Sequence, residues 1–209
     1  MKDKSQVVII GYSGHSFVAC DIFISQNISI EGYCEEKEKD FNPYNLIFLG
    51  KENADFALDK IKTTNYFTAI GNNKIRQEIN TTIQNKINSF PINAIHKNAS
   101  ISTSANLGNG IMIGDGCIIN ACSTIGDGVI CNTQAVIEHE CIIGHYSHIA
   151  PGAVLCGNVK VGEQTFIGAK SVVREGVKIG NNVIIGAGTV IIKDIPDNSK
   201  VVGSPQRFI

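Results

Sequence analysis

Among the five histidines, His15, His96, His139, His145 and His148, only His139 stands between two carboxylates, Glu138 and Glu140. An imidazole is a base near neutral pH, and an adjacent carboxylate can hold its tautomer and stabilise the imidazolium that forms. That pair can take a proton from an attacking amine or hydroxyl. A lone histidine in such a place is otherwise a solvated surface residue, and Glu138 reads as a surface carboxylate. A second constellation lies near the N-terminus. The apolar run Ser5–Ile10 ends in Gly11-Tyr12-Ser13-Gly14-His15-Ser16, and Phe17–Ile24 follows at helix spacing. Strand, glycine turn and helix start leave backbone N–H groups and a helix dipole aimed at one spot, which suits an anion. A second strand, Ile28–Cys34, ends in Glu35-Glu36, about twenty residues on, where a nucleotide-binding unit bonds ribose or base. Ser16 occupies the place of the third glycine of the dinucleotide fingerprint, so a plain Gly-rich turn is the competing reading.

A second junction of the same kind follows. Residues 51–62 carry a helical pattern, Tyr66–Ile70 a strand, and Gly71-Asn72-Asn73 a capped turn into a helix over Lys74–Lys86. Both junctions then fall on the carboxyl edge of one parallel sheet, where open α/β sheets bind ligands. Arg76 either reaches a phosphate between them or is an exposed helix arginine. Ser89-Phe90-Pro91 marks a linker.

Beyond the linker, one pattern positions every remaining candidate. From Ile101 to Ile191 an aliphatic residue recurs every six positions without an insertion, Cys131 being the one exception in type. Four residues after each stands a smaller series that includes Ala105, Cys117, Ser123, Ala135, Ser147, Ala153, Ser171 and Thr189. Glycine or asparagine commonly follows the aliphatic position, as at Gly108, Gly126, Asn132, Gly144, Gly168 and Gly186, and reads as a turn residue. Six residues are too few for a hairpin, but they can wind as a solenoid whose coils bury both series on one another. The expected architecture is a Rossmann-like α/β domain over residues 1–90, a left-handed parallel β-helix of hexapeptide repeats over 91–195, and a tail over 196–209.

Composition narrows the function. A chain of 209 residues with formal net charge −1 and pI near 6.5 fits neither a general nucleic-acid binder nor a membrane-surface binder. The leading Met-Lys-Asp-Lys-Ser and the short run Val7–Ile10 are too brief for a signal or a membrane span. The seven cysteines show no CxxC spacing and read as reduced core residues of a cytoplasmic protein, with no metal.

The whole chain resembles the bacterial sugar O- and N-acyltransferases, which join a nucleotide-sugar domain to a left-handed β-helix. The resemblance is carried by Gly11-Tyr-Ser-Gly-His15, by Asn132 through Gly144 with His139-Glu140 inside it, by Ser147-His148-Ile-Ala-Pro-Gly152, and by Val-Val-Gly203-Ser-Pro205. It implies triangular coils of three hexads, His139 as general base and Glu140 as the residue that raises its basicity. It also implies Asn132 near the acceptor and His148 near the thioester of acetyl-CoA. The nucleotide sugar falls to Gly11, Ser13, Gly14, His15, Glu35 and Glu36, with Gly71, Asn72 and Arg76 from the second junction. Many relatives carry Asp where this chain has Glu at the strand end.

Eighteen-residue coils stack three corners: His139, Gly157 and Glu175; His145, Glu163 and Asn181; Pro151, Ala169 and Ala187. The third is small and apolar, is preceded by Ala150, Gly168 and Gly186, and would let a pantetheine arm lie along backbone. His148, Gly157, Gly168, Ala169, Gly186 and Ala187 are the cofactor candidates. His139 lies half a coil from His148, so base and thioester meet only between subunits, as in the family's ring of three. The expected reaction is acetyl transfer from acetyl-CoA to the amino group of a nucleotide-linked 4-amino sugar, UDP-linked by preference, for surface glycan synthesis. Acetylation of a sialic acid or other sugar hydroxyl is the alternative. A γ-type carbonic anhydrase needs three converging histidines, yet His139 and His145 fall on different corners. A non-catalytic scaffold leaves the histidine–glutamate pair and the nucleotide turn unexplained.

Overall fold

The computed structural model describes residues 5–209; the leading Met-Lys-Asp-Lys lies outside the described residues. Two compact units meet between Lys97 and Asn98. The sequence placed this boundary after residue 90. Residues 89–95 stay with the first unit because Tyr66 donates to the Ser89 carbonyl at 3.0 Å, Ile92 N donates to Tyr66 O, and Gln26 bonds the Ile95 carbonyl.

The first unit runs β1 (Gln6–Ile10), α1 (Gly14–Ser25), β2 (Ser29–Cys34), α2 (Asp55–Thr63), β3 (Asn65–Thr68) and α3 (Asn73–Ile87). The strands form a parallel sheet in the order β2-β1-β3, with Ile10 in register with both Cys34 and Thr68. Val7 to Ile10 are buried, as expected of a central parallel strand covered on both faces. One side packs Val8, Ile10 and Cys34 against Ala57 and Ile61 of α2 and Ile83 of α3. The register brings the turn after β1, the end of β2 and the turn after β3 to one edge. Helix α2 starts at Asp55 instead of residue 51. Gly50 takes φ +85 and its carbonyl accepts from Glu35 N, so residues 51–54 run along the end of the sheet as a turn before the helix begins.

The second unit is a parallel β-helix. Two-residue strands stack at a spacing of eighteen, as Ile130↔His148↔Phe166↔Ile184 shows on the first of three faces. The second face carries Val136–Ile137 and the third Ile142–Ile143 with their stacked equivalents. The aliphatic series lies inside, buried from Ile113 onward, and the small series lies inside with it. Its polar members are satisfied by the adjacent coil: Ser123 donates to the Glu138 carbonyl at 2.8 Å, Ser147 to Gly162 O at 2.7 Å, and Thr165 to Gly180 O at 2.7 Å. Bonding of this kind removes the penalty of burying a hydroxyl.

Where a glycine follows the aliphatic residue, as at Gly144 and Gly168, it is a spacing residue and not the turn residue the sequence suggests. A Cβ on Gly144 would stand 2.6 Å from Glu163 N, and one on Gly168 would stand 2.5 Å from Ala187 N. The left-handed position comes two residues later and recurs every six: Gln134 (φ 56), Glu140 (61), Tyr146 (56), Asn158 (55), Gln164 (59) and Lys170 (55) belong to it. Past Pro196 the solenoid continues. Lys200–Val202 pairs with Ile184–Ile185, and Arg207–Phe208 folds back antiparallel on it. The cysteines are not all core residues, since Cys122 is exposed and Cys156 half-buried.

Candidate functional site

At the carboxyl edge of the first sheet, a cleft of about 420 Å³ is lined by Ile10, Gly11, Ser13, Glu35, Glu36, Lys51, Glu52, Ile70, Gly71, Ile75 and Ile79. Helix α1 starts here at Gly14, its entry held by Ser16 Oγ, which accepts from Ser13 N at 2.7 Å. Ser13 and Gly14 are exposed, and a Cβ on Gly14 would meet no protein atom within 4 Å, so the backbone is open to a ligand. Gly11 has a structural reason as well: its φ is +86 and a Cβ would come 2.7 Å from Ile70 Cγ1.

Several expected ligand contacts are used internally. Glu35 accepts from Tyr12 N at 3.1 Å and from Glu36 N at 3.2 Å, tying the end of β2 to the turn after β1. Asn72 accepts from Ile75 N at 3.1 Å and caps α3. Arg76 is neither exposed nor aimed at an anion. It is 1% exposed, and its guanidinium donates to Ile70 O at 2.9 Å, Gly71 O at 3.2 Å and Asn73 Oδ1 at 2.9 Å. A buried guanidinium needs acceptors on every side, and these three carbonyl oxygens supply them. Beside it, burial and then the Arg76 charge hold the His15 pKa down to about 4, so this imidazole is neutral at neutral pH. The helical pattern over residues 51–62 puts Lys51 and Glu52 on a helix, whereas the helix starts at Asp55. They reach the cleft only because α2 starts late.

On the solenoid, His139 stands at the corner between the second and third faces. Its Nδ1 lies 3.1 Å from Glu140 Oε2. A carboxylate on Nδ1 keeps the proton there and leaves Nε2 as the basic nitrogen. The ring lies over Gly157, where a Cβ would come 2.5 Å from Cε1 and 2.6 Å from Nε2. Gly157 thus lies directly under the imidazole, on the corner where the eighteen-residue period stacks it. Glu138 is no free surface carboxylate: it is half-buried and accepts from Asn120 Nδ2 at 2.9 Å. The coil length of eighteen was the signal that would have paired them.

Asn132 and His148, which the resemblance gave to different ligands, touch each other: Asn132 Nδ2 lies 3.2 Å from His148 Nε2. Asn132 Oδ1 also accepts from Thr133 N at 2.8 Å, and His148, 8% exposed, packs edge-on against Phe166. The adjoining edge carries Pro151 and Ala187 exposed, Ala169 and Gly186 half-buried, and Gly168 buried. A Cβ on Gly186 would meet Val202 Cγ1 at 2.7 Å, so this glycine makes room for the closing strand. His145 stands at the remaining corner and its Nδ1 accepts from Asp127 N at 2.9 Å. Among the described residues, no three His, Cys, Asp or Glu side chains converge as a metal-ligand set, and no helix is long and apolar enough to cross a membrane.

Known proteins combine these two architectures. Residues 6–83 match the family described as the PglD N-terminal domain, and residues 158–193 match the bacterial transferase hexapeptide (six repeats). PerB from Caulobacter crescentus, solved with CoA and GDP-perosamine, is 34% identical, with TM-score 0.89 over 98% of this chain and 97% of that one. The acetyltransferase domain of PglB from Neisseria gonorrhoeae, solved with acetyl coenzyme A, is 29% identical, with TM-score 0.91 over 99% and 100% of the two chains. A GDP-perosamine N-acetyltransferase of Escherichia coli O157:H7 is 34% identical over 95 residues, which span 45% of this chain and 42% of that relative. The chain belongs to the bacterial sugar acyltransferase family that joins a nucleotide-sugar domain to a hexapeptide β-helix.

Proposed function

We propose that the protein transfers acetyl from acetyl-CoA to the amino group of a nucleotide-linked 4-amino sugar. The observation that carries this reading is the His139–Glu140 pair, at 3.1 Å, seated over a glycine on the corner of the solenoid. As the amine attacks the thioester carbonyl, His139 Nε2 takes its proton and Glu140 stabilises the resulting imidazolium. Collapse of the tetrahedral intermediate breaks the C–S bond, and the CoA thiolate takes up the proton. The Asn132–His148 pair and the edge formed by Pro151, Ala169 and Ala187 are the proposed seat of the acetyl-CoA arm. The cleft at the end of the sheet is the proposed seat of the nucleotide, its diphosphate at the N-terminus of α1 near Ser13 and Gly14.

His139 and that edge occupy different corners of one prism. Our reading therefore places the reaction between subunits of a homotrimer, in the cytoplasm where both substrates are available, as a step toward a surface glycan. The expectation of a UDP carrier finds no support in the relatives, two of which are named for a GDP-linked sugar.

The test is to incubate the purified chain with acetyl-CoA and a panel of GDP-, UDP- and dTDP-linked 4-amino sugars, together with sialic acid and the matching hydroxyl sugars, and to follow free CoA thiol. Thiol release with an amide product is expected. Release only with hydroxyl sugars, or with none of the panel, would overturn the reading.

A further inference from the structure

We infer that Ser123, fully buried inside the prism, is a positioning residue for the His139–Glu140 pair; this rests on the acetyl-transfer reading above. The pair lies within the corner formed by residues 138–141, and the one hydroxyl of Ser123, from the preceding coil, reaches both ends of it. Ser123 Oγ donates to Glu138 O at 2.8 Å and accepts from Cys141 N at 3.3 Å. Between those two bonds, Glu140 N donates to Ala121 O at 2.9 Å and Asn158 N donates to His139 O at 2.8 Å. Glu140 takes φ 61, and a side chain in that conformation persists where its surroundings hold it. The direction of the carboxylate, and with it the 3.1 Å contact to His139 Nδ1, therefore depends on how the two ends of the corner are held.

The inward column to which Ser123 belongs points the same way. Positions eighteen apart along it are Ala105, Ser123, Cys141, Val159 and Val177, so the column carries one hydroxyl, on the coil that precedes the pair. The next member extends the hold. Cys141, whose amide bonds Ser123, donates its thiol to Cys156 O at 3.2 Å. Gly157 follows Cys156 and lies under the imidazole. One buried hydroxyl thus fixes the corner of the carboxylate directly and, through Cys141, the corner that carries the glycine beneath the ring. Thr165 supplies a comparison within the molecule. It makes the same two bonds in another column, donating to Gly180 O at 2.7 Å and accepting from Val183 N at 3.1 Å. The corner it holds takes no part in the proposed reaction.

The experiment compares Ser123→Ala with Thr165→Val in steady-state acetyl transfer and in chemical denaturation of the full chain. Each variant leaves a buried carbonyl and a buried N–H of the next coil without their hydroxyl, so both are expected to unfold at lower denaturant than the unaltered chain. Only Ser123→Ala should lose kcat, by about tenfold or more with KM for both substrates held, because small displacements of a reacting group are costly. Ser123→Thr keeps the hydroxyl, at an inward position that Thr165 and Thr189 fill in their own columns, and should restore kcat. If Ser123→Ala does not fold, Ser123→Cys replaces it, since Cys141 fills the same position one coil on, and its kcat should fall between those of the alanine variant's expectation and the unaltered chain. An unaltered kcat in the Ser123 variant, an equal loss in Thr165→Val, a change confined to KM, or Ser123→Thr as slow as Ser123→Ala would each overturn the inference while leaving acetyl transfer intact. Absence of acetyl transfer by the unaltered chain would overturn both readings.

Discussion

His139 is held from two sides, by the Glu140 carboxylate at 3.1 Å and by the absence of a Cβ on Gly157. His139→Ala should lower turnover by roughly 10²–10⁴, the usual worth of a general base, with the thermal unfolding midpoint little changed. Glu140→Gln should cost less, because the imidazole remains; a greater loss than for His139→Ala would require a different base. Gly157→Ala places a methyl 2.5 Å from the ring, so the imidazole must move. Turnover should fall by about tenfold or more while the KM for the sugar nucleotide holds, since small displacements of a reacting group are costly. An unchanged turnover would show that the ring is not held in the observed place. His15 gives a pH-dependent expectation. Its pKa is about 4 in the fold against an ordinary 6.5. Between those values the unfolded chain binds a proton that the folded chain does not, so stability falls as pH drops through that window. His15→Gln should flatten this slope in denaturation midpoints measured from pH 7 to pH 4.

At the scale of the element, the coil depends on two positions of each hexad that play opposite parts. Gly144 must lack a side chain because the next coil's backbone is 2.6 Å from where its Cβ would be. Lys170 has a side chain although its φ is +55, where an L-residue is strained. Gly144→Ala should therefore destabilise by about 1–3 kcal/mol, the scale of overpacking. Lys170→Gly should be neutral or stabilise by up to about 1 kcal/mol, since relief of strain opposes the added freedom of the unfolded chain. Chemical denaturation of both variants checks this; the reverse order would mean that the assigned spacing and turn positions are exchanged. The same hexad logic places Glu140, at φ 61, on the left-handed position. That position turns the chain just where the carboxylate must reach back to its neighbour's imidazole.

For the whole molecule, the proposed mechanism demands more than one copy of the solenoid. His139 lies between the second and third faces, and the edge formed by Pro151, Ala169 and Ala187 lies between the first and second. Mixing His139→Ala with Ala169→Trp, each inactive alone, should restore part of the activity after subunit exchange. One interface of a hybrid then combines an intact histidine with an intact edge. Confirmed mixing without recovered activity would place base and cofactor edge in the same subunit and would remove the argument for a trimer.

The solenoid was legible in the sequence because a six-residue period leaves one way to bury both inward series. The alternation of strand and glycine turn in the first unit was legible because a parallel sheet demands it. His139 beside Glu140 could also be read directly, since neighbours in sequence are neighbours on the corner. Other features came only from the tertiary structure. Arg76 sits one turn into an amphipathic helix, and nothing in that pattern says that the carbonyls of Ile70 and Gly71 will enclose its guanidinium. Lys51 enters the cleft because a left-handed Gly50 delays α2, a choice set by pairing with β2. Asn132 meets His148 across the stacking distance between coils. The period already stacked Gly157 on the His139 corner, and the structure added how closely the ring lies over it. Periodicity determines which residues point inward. Which atoms touch from coil to coil is decided by the stacking itself, because that contact joins residues far apart in the chain.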